Sequence, residues 1–245
     1  MKKFNETYRK KFDETMLGFG FRRSRNVYYR LVNGKIYQEV SPECQKDPLG
    51  AAFIMHPNFS PICSNPDTPV AKLRSDSFLN NRWFPIYNKN EDYVEDYIEE
   101  SVEEAYGFTE KYIFPLLDKC YDYPSYIKTF DEYFANYNPN PFYIYGILNY
   151  DKMLMYIALG EYEQAKKYVN IYVENAMESI ARCEQYNIEY AHTKNFKPIV
   201  VDKSHYQIFD IEKALNENNH DFLNELIKQN EEKYINSLLS KKYKI

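Results

Sequence analysis

The sequence predicts an α+β protein: a small antiparallel sheet of three to four strands flanked by helices, followed by a mostly α-helical C-terminal part. Three observations carry this. Residues 27–32 and 35–40 are β-branched and aromatic runs on either side of Asn33-Gly34. Asn-Gly between two such runs favours a type I′ hairpin, because both central residues adopt positive φ. Apolar residues recur every four positions before the hairpin, and helical periodicity dominates after Glu91. Third, 26 of the 245 residues are tyrosines. A tyrosine scores polar yet buries a large ring, so a chain with 44% hydrophobic residues builds a core despite a mean hydropathy of −0.68.

Residues 3–17 read as an amphipathic helix with Phe4, Tyr8, Phe12 and Met16 on one face. Gly18 is expected to supply its left-handed end. After the hairpin, residues 51–56 form a third strand, antiparallel because its connection is too short for a crossover helix. Residues 57–90 hold Pro57, Pro61, Pro66, Pro69 and Pro85 and read as a long loop. Trp83 would pin that loop to the sheet. A helix is expected over 91–117, with Val94, Ile98, Val102 and Ala105 as its stripe, and a shorter one over 125–136.

Asn138-Pro139-Asn140-Pro141 is a stop, so the chain divides into residues 1–137 and 138–245. The second part opens with a helical hairpin over 142–183. Its turn, Leu159-Gly160-Glu161-Tyr162, is similar to the turn inside a tetratricopeptide repeat. Only one such turn is visible and there is no 34-residue period, so the reading is an ordinary antiparallel helix pair. Residues 196–206 suggest a short extended piece. Helices over about 207–218 and 220–239 close the chain.

No apolar run approaches the roughly 20 residues of a membrane helix, and the start of the chain lacks the apolar stretch of a signal peptide. Cys44, Cys63, Cys120 and Cys183 are scattered without a CxxC pair. That spacing argues against zinc and suits a reducing compartment, so cytoplasmic location with no metal and no cofactor is expected.

Charge is segregated. Residues 1–30 carry +6 and residues 31–245 carry −11. The overall −5 disfavours nucleic acid as a partner. Acid is densest in the pairs Glu91-Asp92, Glu95-Asp96, Glu99-Glu100 and Glu103-Glu104. Four-residue spacing would put these on one helix face. Such a face suits water, the chain's own basic segment, or a basic protein partner, with Glu95, Glu99 and Glu103 as candidate contacts.

Phosphate-binding, zinc-protease and serine-hydrolase motifs are absent. The reading therefore leans away from an enzyme and nominates no catalytic residue. His56, at a strand end, is the histidine best placed to line a cleft. Arg22, Arg23 and Arg30 with Tyr28 and Trp83 offer cations beside aromatics, a combination suited to a phosphate or small-molecule ligand. That ligand would lie between the sheet and the Pro-rich loop.

Residues 4–135 resemble a bacterial family known as domain of unknown function 4304. The features that carry the resemblance are an N-terminal helix, Gly20-Phe21-Arg22-Arg23, the strand Tyr28-Tyr29-Arg30, the pair Trp83-Phe84, and a long helix ending near Pro115-Leu116. The resemblance implies a small antiparallel sheet packed by helices in a bacterial cytoplasmic protein, and it brings no catalytic residues. The leading expectation is a non-enzymatic protein-binding module, with toxin neutralisation as one candidate role. The alternative is the ligand-binding cleft.

Overall fold

A computed structural model describes residues 1–46, 48–64, 83–89, 94–136, 141–194, 196–200 and 203–240. Helix α1 (Lys2–Gly18) buries Phe4, Tyr8, Phe12 and Met16 completely, as their spacing requires. Gly18 stays helical. The left-handed residue is Gly20, φ +79°, whose N–H donates to Leu17 O while the Phe21 N–H reaches Met16 O, both at 3.0 Å. Of the two glycines in Gly18-Phe19-Gly20, the second ends the helix in a Schellman turn.

Six strands follow in sequence order as one antiparallel meander among the described residues: β1 (Arg22–Ser24), β2 (Val27–Val32), β3 (Ile36–Lys46), β4 (Gly50–Pro61), β5 (Phe84–Lys89) and β6 (Val94–Asp96). Asn33 and Gly34 have φ of 50° and 65°, so the hairpin turn is type I′. The α+β expectation is met, with more strands than the expected three to four. β1 and β6 are three residues each, too short to show a pattern.

The expected loop over 57–90 is corrected at both ends. Pro57 and Pro61 lie inside β4, opposite Val40 and Ile36, and residues 84–89 form β5. The Ile62 N–H bonds Lys35 O, which places even-numbered residues of β4 at the hydrogen-bonded positions. Both prolines are odd-numbered, so their missing N–H faces away from β3, where β5 pairing has stopped at Phe53. Pro42 sits opposite Met55 by the same parity, past the last β2 partner at Val40. Pro66 and Pro69 lie outside the described residues.

The helix expected over 91–117 begins later. Val94 lies on β6, and the Asp96 carboxylate accepts the Ile98 N–H at 3.0 Å. Helix α2 (Ile98–Phe108), a π-helical turn (Thr109–Ile113) and α3 (Phe114–Lys119) then run on continuously. Helix α4 (Tyr123–Asn136) follows a box in which Asp122 and Ser125 exchange side-chain and backbone hydrogen bonds.

The sheet has two apolar faces. Tyr28, Ile36, Val40, Phe53 and Phe59 face α1 to α4. Tyr29, Tyr37 and Ile62 face the other way and are covered by Tyr234 and Leu238. Those two residues belong to the last of four C-terminal helices, α5 (Pro141–Ala158), α6 (Tyr162–Tyr190), α7 (Lys203–Asn216) and α8 (His220–Ser240).

Gly160, φ +73°, closes α5 with the same Schellman bonds as α1. A second turn of this kind joins α7 to α8, with Asn218 at φ 54° in place of glycine. Helix α6 runs seven residues past its expected end at 183 and α7 begins four before its expected start at 207. One apolar core extends from Phe4 to Ile227 across both parts of the chain, and the boundary placed at 137/138 falls outside the described residues.

Phe12 lies 4.4 Å from the Tyr8 ring and 5.2 Å from Tyr106. Phe12→Ala should cost about 3–5 kcal/mol, read as a lower urea midpoint with an unchanged slope.

Candidate functional site

The nominated cations are tied into the chain. Arg30 donates from Nε to Gln38 Oε1 (2.8 Å) and from Nη1 to Phe19 O (2.5 Å), and its guanidinium lies 4.4 Å over the Phe21 ring. Burial lowers its pKa against the opposing pull of Asp118, 3.8 Å away. Gln38 is itself fully buried and donates to Leu117 O and Cys120 O. Arg30 therefore ties strands to the end of α3.

Asp13 on α1 joins two others, holding Arg23 Nε at 2.9 Å and accepting from Tyr28 Oη at 2.9 Å. Burial raises the Tyr28 pKa, and the bond to Asp13 adds to the rise. Arg22 is exposed on β1. Trp83, 39% exposed, stands where the described chain resumes. The expected cleft against the Pro-rich loop falls on residues outside the described set.

His56 lies on the second sheet face with its Nε2 2.9 Å from the Glu43 carboxylate. Ser41 is its cross-strand partner, but the Ser41 hydroxyl is directed to Glu39 Oε1 at 3.4 Å. A histidine, an acid and a serine thus share one face of the sheet.

The acidic segment does not form one helical face. Glu91 and Asp92 lie outside the described residues, and Glu95 and Asp96 are on β6. Glu99 and Glu103 lie on α2, exposed. Two of the acids meet the chain's own basic helix: Lys3 bonds Asp96 and Lys11 bonds Glu103, each at 2.7 Å. The Lys3 bond, with the Ile98 N–H, holds the Asp96 pKa down.

Two features were not legible in the sequence. The first is a buried polar junction where β4 ends. Asn230 of α8 donates to Cys63 O (3.0 Å), Ser64 donates to Asp151 Oδ1 of α5 (2.5 Å), and Glu231 of α8 receives Lys35 (2.8 Å) and Tyr123 Oη (2.9 Å). Burial lifts the Asp151 pKa to about 7 and pushes the Cys63 thiol well up, which disfavours its thiolate. No cluster of metal-ligating side chains exists among the described residues.

The second feature is an arm. From residue 181 on, α6 is exposed on almost every side. Asn187 holds the returning chain by bonding both Ile199 N–H (2.8 Å) and Ile199 O (2.9 Å). Apolar side chains stand in the open there: Ile188 is 78% exposed and Val200 86%. Tyr186 packs on Tyr190 and Phe196, which fixes the shape of the tip.

No family model, no curated protein and no solved structure matches this chain.

Replacing Gln38 by Leu would remove the buried donor to the Leu117 and Cys120 carbonyls and the acceptor of Arg30 Nε. The expected loss is about 2–4 kcal/mol, whereas Glu99→Gln on the exposed face should change stability by less than about 0.5 kcal/mol. Urea unfolding of both variants checks the contrast.

Proposed function

We propose that this chain is a non-enzymatic protein-binding module that binds through the tip of the α6 arm. The observation that carries this is the exposure of Ile188, Tyr186 and Tyr190 on α6 and of Ile199 and Val200 on the segment that Asn187 clamps to it. Exposed apolar surface of this kind marks an interaction site, and tyrosines suit the centre of an interface. The backbone clamp from Asn187 reduces the ordering cost of binding.

Residues 191–200 hold Lys194 and Lys197 and no acid. Glu184 and Glu189 are exposed on the adjoining stretch of α6, so the partner surface is apolar at its centre with charges of both signs at its rim. This differs from a basic partner docking on Glu95, Glu99 and Glu103, since Lys11 already neutralises Glu103. Toxin neutralisation is one role such a module could fill. The reading also places residues 4–135 beside the domain-of-unknown-function 4304 family, on the residue order quoted for it.

Affinity capture with the wild type, Ile188→Asp/Val200→Asp and Glu99→Lys chains, followed by cross-linking, tests the reading. A stoichiometric partner lost with the tip variant, kept with Glu99→Lys and cross-linked at Lys194 or Lys197 is the expected result. A partner unaffected by the tip variant, or no partner with any chain, overturns it.

A further inference from the structure

Asp151 is fully buried on α5. Its Oδ1 accepts from Ser64 Oγ, and its Oδ2 has no hydrogen-bond partner among the described residues. The ionisable groups around it come from every element packed there. They are Cys63 at the end of β4, Tyr126 of α4, Tyr150 of α5, Tyr172 of α6 and Tyr234 of α8. None is a cation.

The nearest positive charges are engaged elsewhere. Lys152 bonds Asp131, and Lys35 bonds Glu231. The Tyr126 hydroxyl is likewise fully buried without a partner among the described residues. A carboxyl in such surroundings is tolerated neutral and costly ionised.

We propose that Asp151 is a proton-operated latch: neutral, it leaves α5 closed on the dry end of β4, and ionised, the cost of burying its charge exceeds what the Ser64 bond returns and the junction opens to water. The latch sits where the strand end, α4, α5, α6 and α8 bring groups to Asp151. Helix α5 is joined to α6 by the Gly160 turn, and the Tyr150 N–H donates to Tyr172 Oη of α6 at 2.8 Å. Release therefore loosens the base of the exposed arm. The latch stands on the Asp151 geometry and does not depend on what the arm binds.

The sign follows from proton linkage. A carboxyl ordinarily titrates near 3.8, and burial lifts this one to about 7, so the closed state holds the proton more tightly. The contribution to closure is fully present below pH 4 and is lost as pH rises through 7. Over that window the closed-to-released ratio falls by about 10³. Above pH 8 no further change is expected from this group.

Two measurements on the full chain test the latch. Hydrogen exchange at pH 5.5 and 8.0, corrected for the intrinsic pH dependence of exchange, should show the wild type losing about 10-fold or more protection over residues 149–158 at the higher pH. Asp151→Asn, which keeps an oxygen acceptor for Ser64, should hold its protection at both. Equal pH dependence in the two chains overturns the proposal. Infrared spectroscopy of the wild type gives a readout that survives if the variant misfolds. A protonated-carboxyl band that fades with a midpoint near pH 7 supports the latch, and its absence at pH 5.5 overturns it.

Discussion

A sheet that is apolar on both faces has to be covered twice, and that constraint organises this molecule. It begins with two adjacent residues. Tyr28 and Tyr29 point to opposite sides of β2, and both are almost wholly buried. Helix α1 and the run α2–α4 cover the Tyr28 side. Among the described residues, the far end of α8 covers the Tyr29 side with Tyr234 and Leu238. The C-terminal helices are therefore a structural requirement of the sheet, and their attachment fixes where the exposed arm projects.

Magnitudes decide which interactions carry this arrangement. The aromatic stripe Phe4, Tyr8 and Phe12 removes three large rings from water, each worth roughly 1.5–3 kcal/mol. The ion pairs Lys3–Asp96 and Lys11–Glu103 are partly or largely exposed, so water screens them and they add little to stability. Burial holds α1 on the sheet, and the charges set its orientation. At the β4 junction the balance differs. There Ser64, Asp151 and Asn230 are buried, so each of their hydrogen bonds avoids the larger cost of leaving a group unpaired. Asp151 is the group for which that cost is only half avoided.

What could be read from the sequence follows the same physics. The stripe of α1, the Asn33-Gly34 turn and the two helical hairpin segments were legible because each is a local pattern with a fixed period. The prolines of residues 57–61 misled, because a proline is excluded only from ladder positions whose N–H is needed, and parity within β4 is a property of the pairing. Val94 misled because it continues the period of Ile98 and Val102 while lying on a strand, and only the Asp96 cap marks where the helix starts. Arg23, Tyr28 and Arg30 looked like a ligand set because their partners Asp13, Gln38 and Phe19 are on other elements. The Ser64–Asp151 bond spans 87 residues, and no local signal announces it. The arm tip was hidden for the opposite reason, since Ile188 and Val200 look like core residues until the fold leaves them outside.

The central claim is that one core couples the sheet to the C-terminal helices. Hydrogen exchange resolved along the full chain in increasing urea at pH 5.5, where Asp151 is protonated, tests it most directly. The account predicts that α1, β3 and α8 lose protection together, in one cooperative step with one slope. Loss of protection in α8 at clearly lower urea, with α1 and β3 still protected, would contradict it.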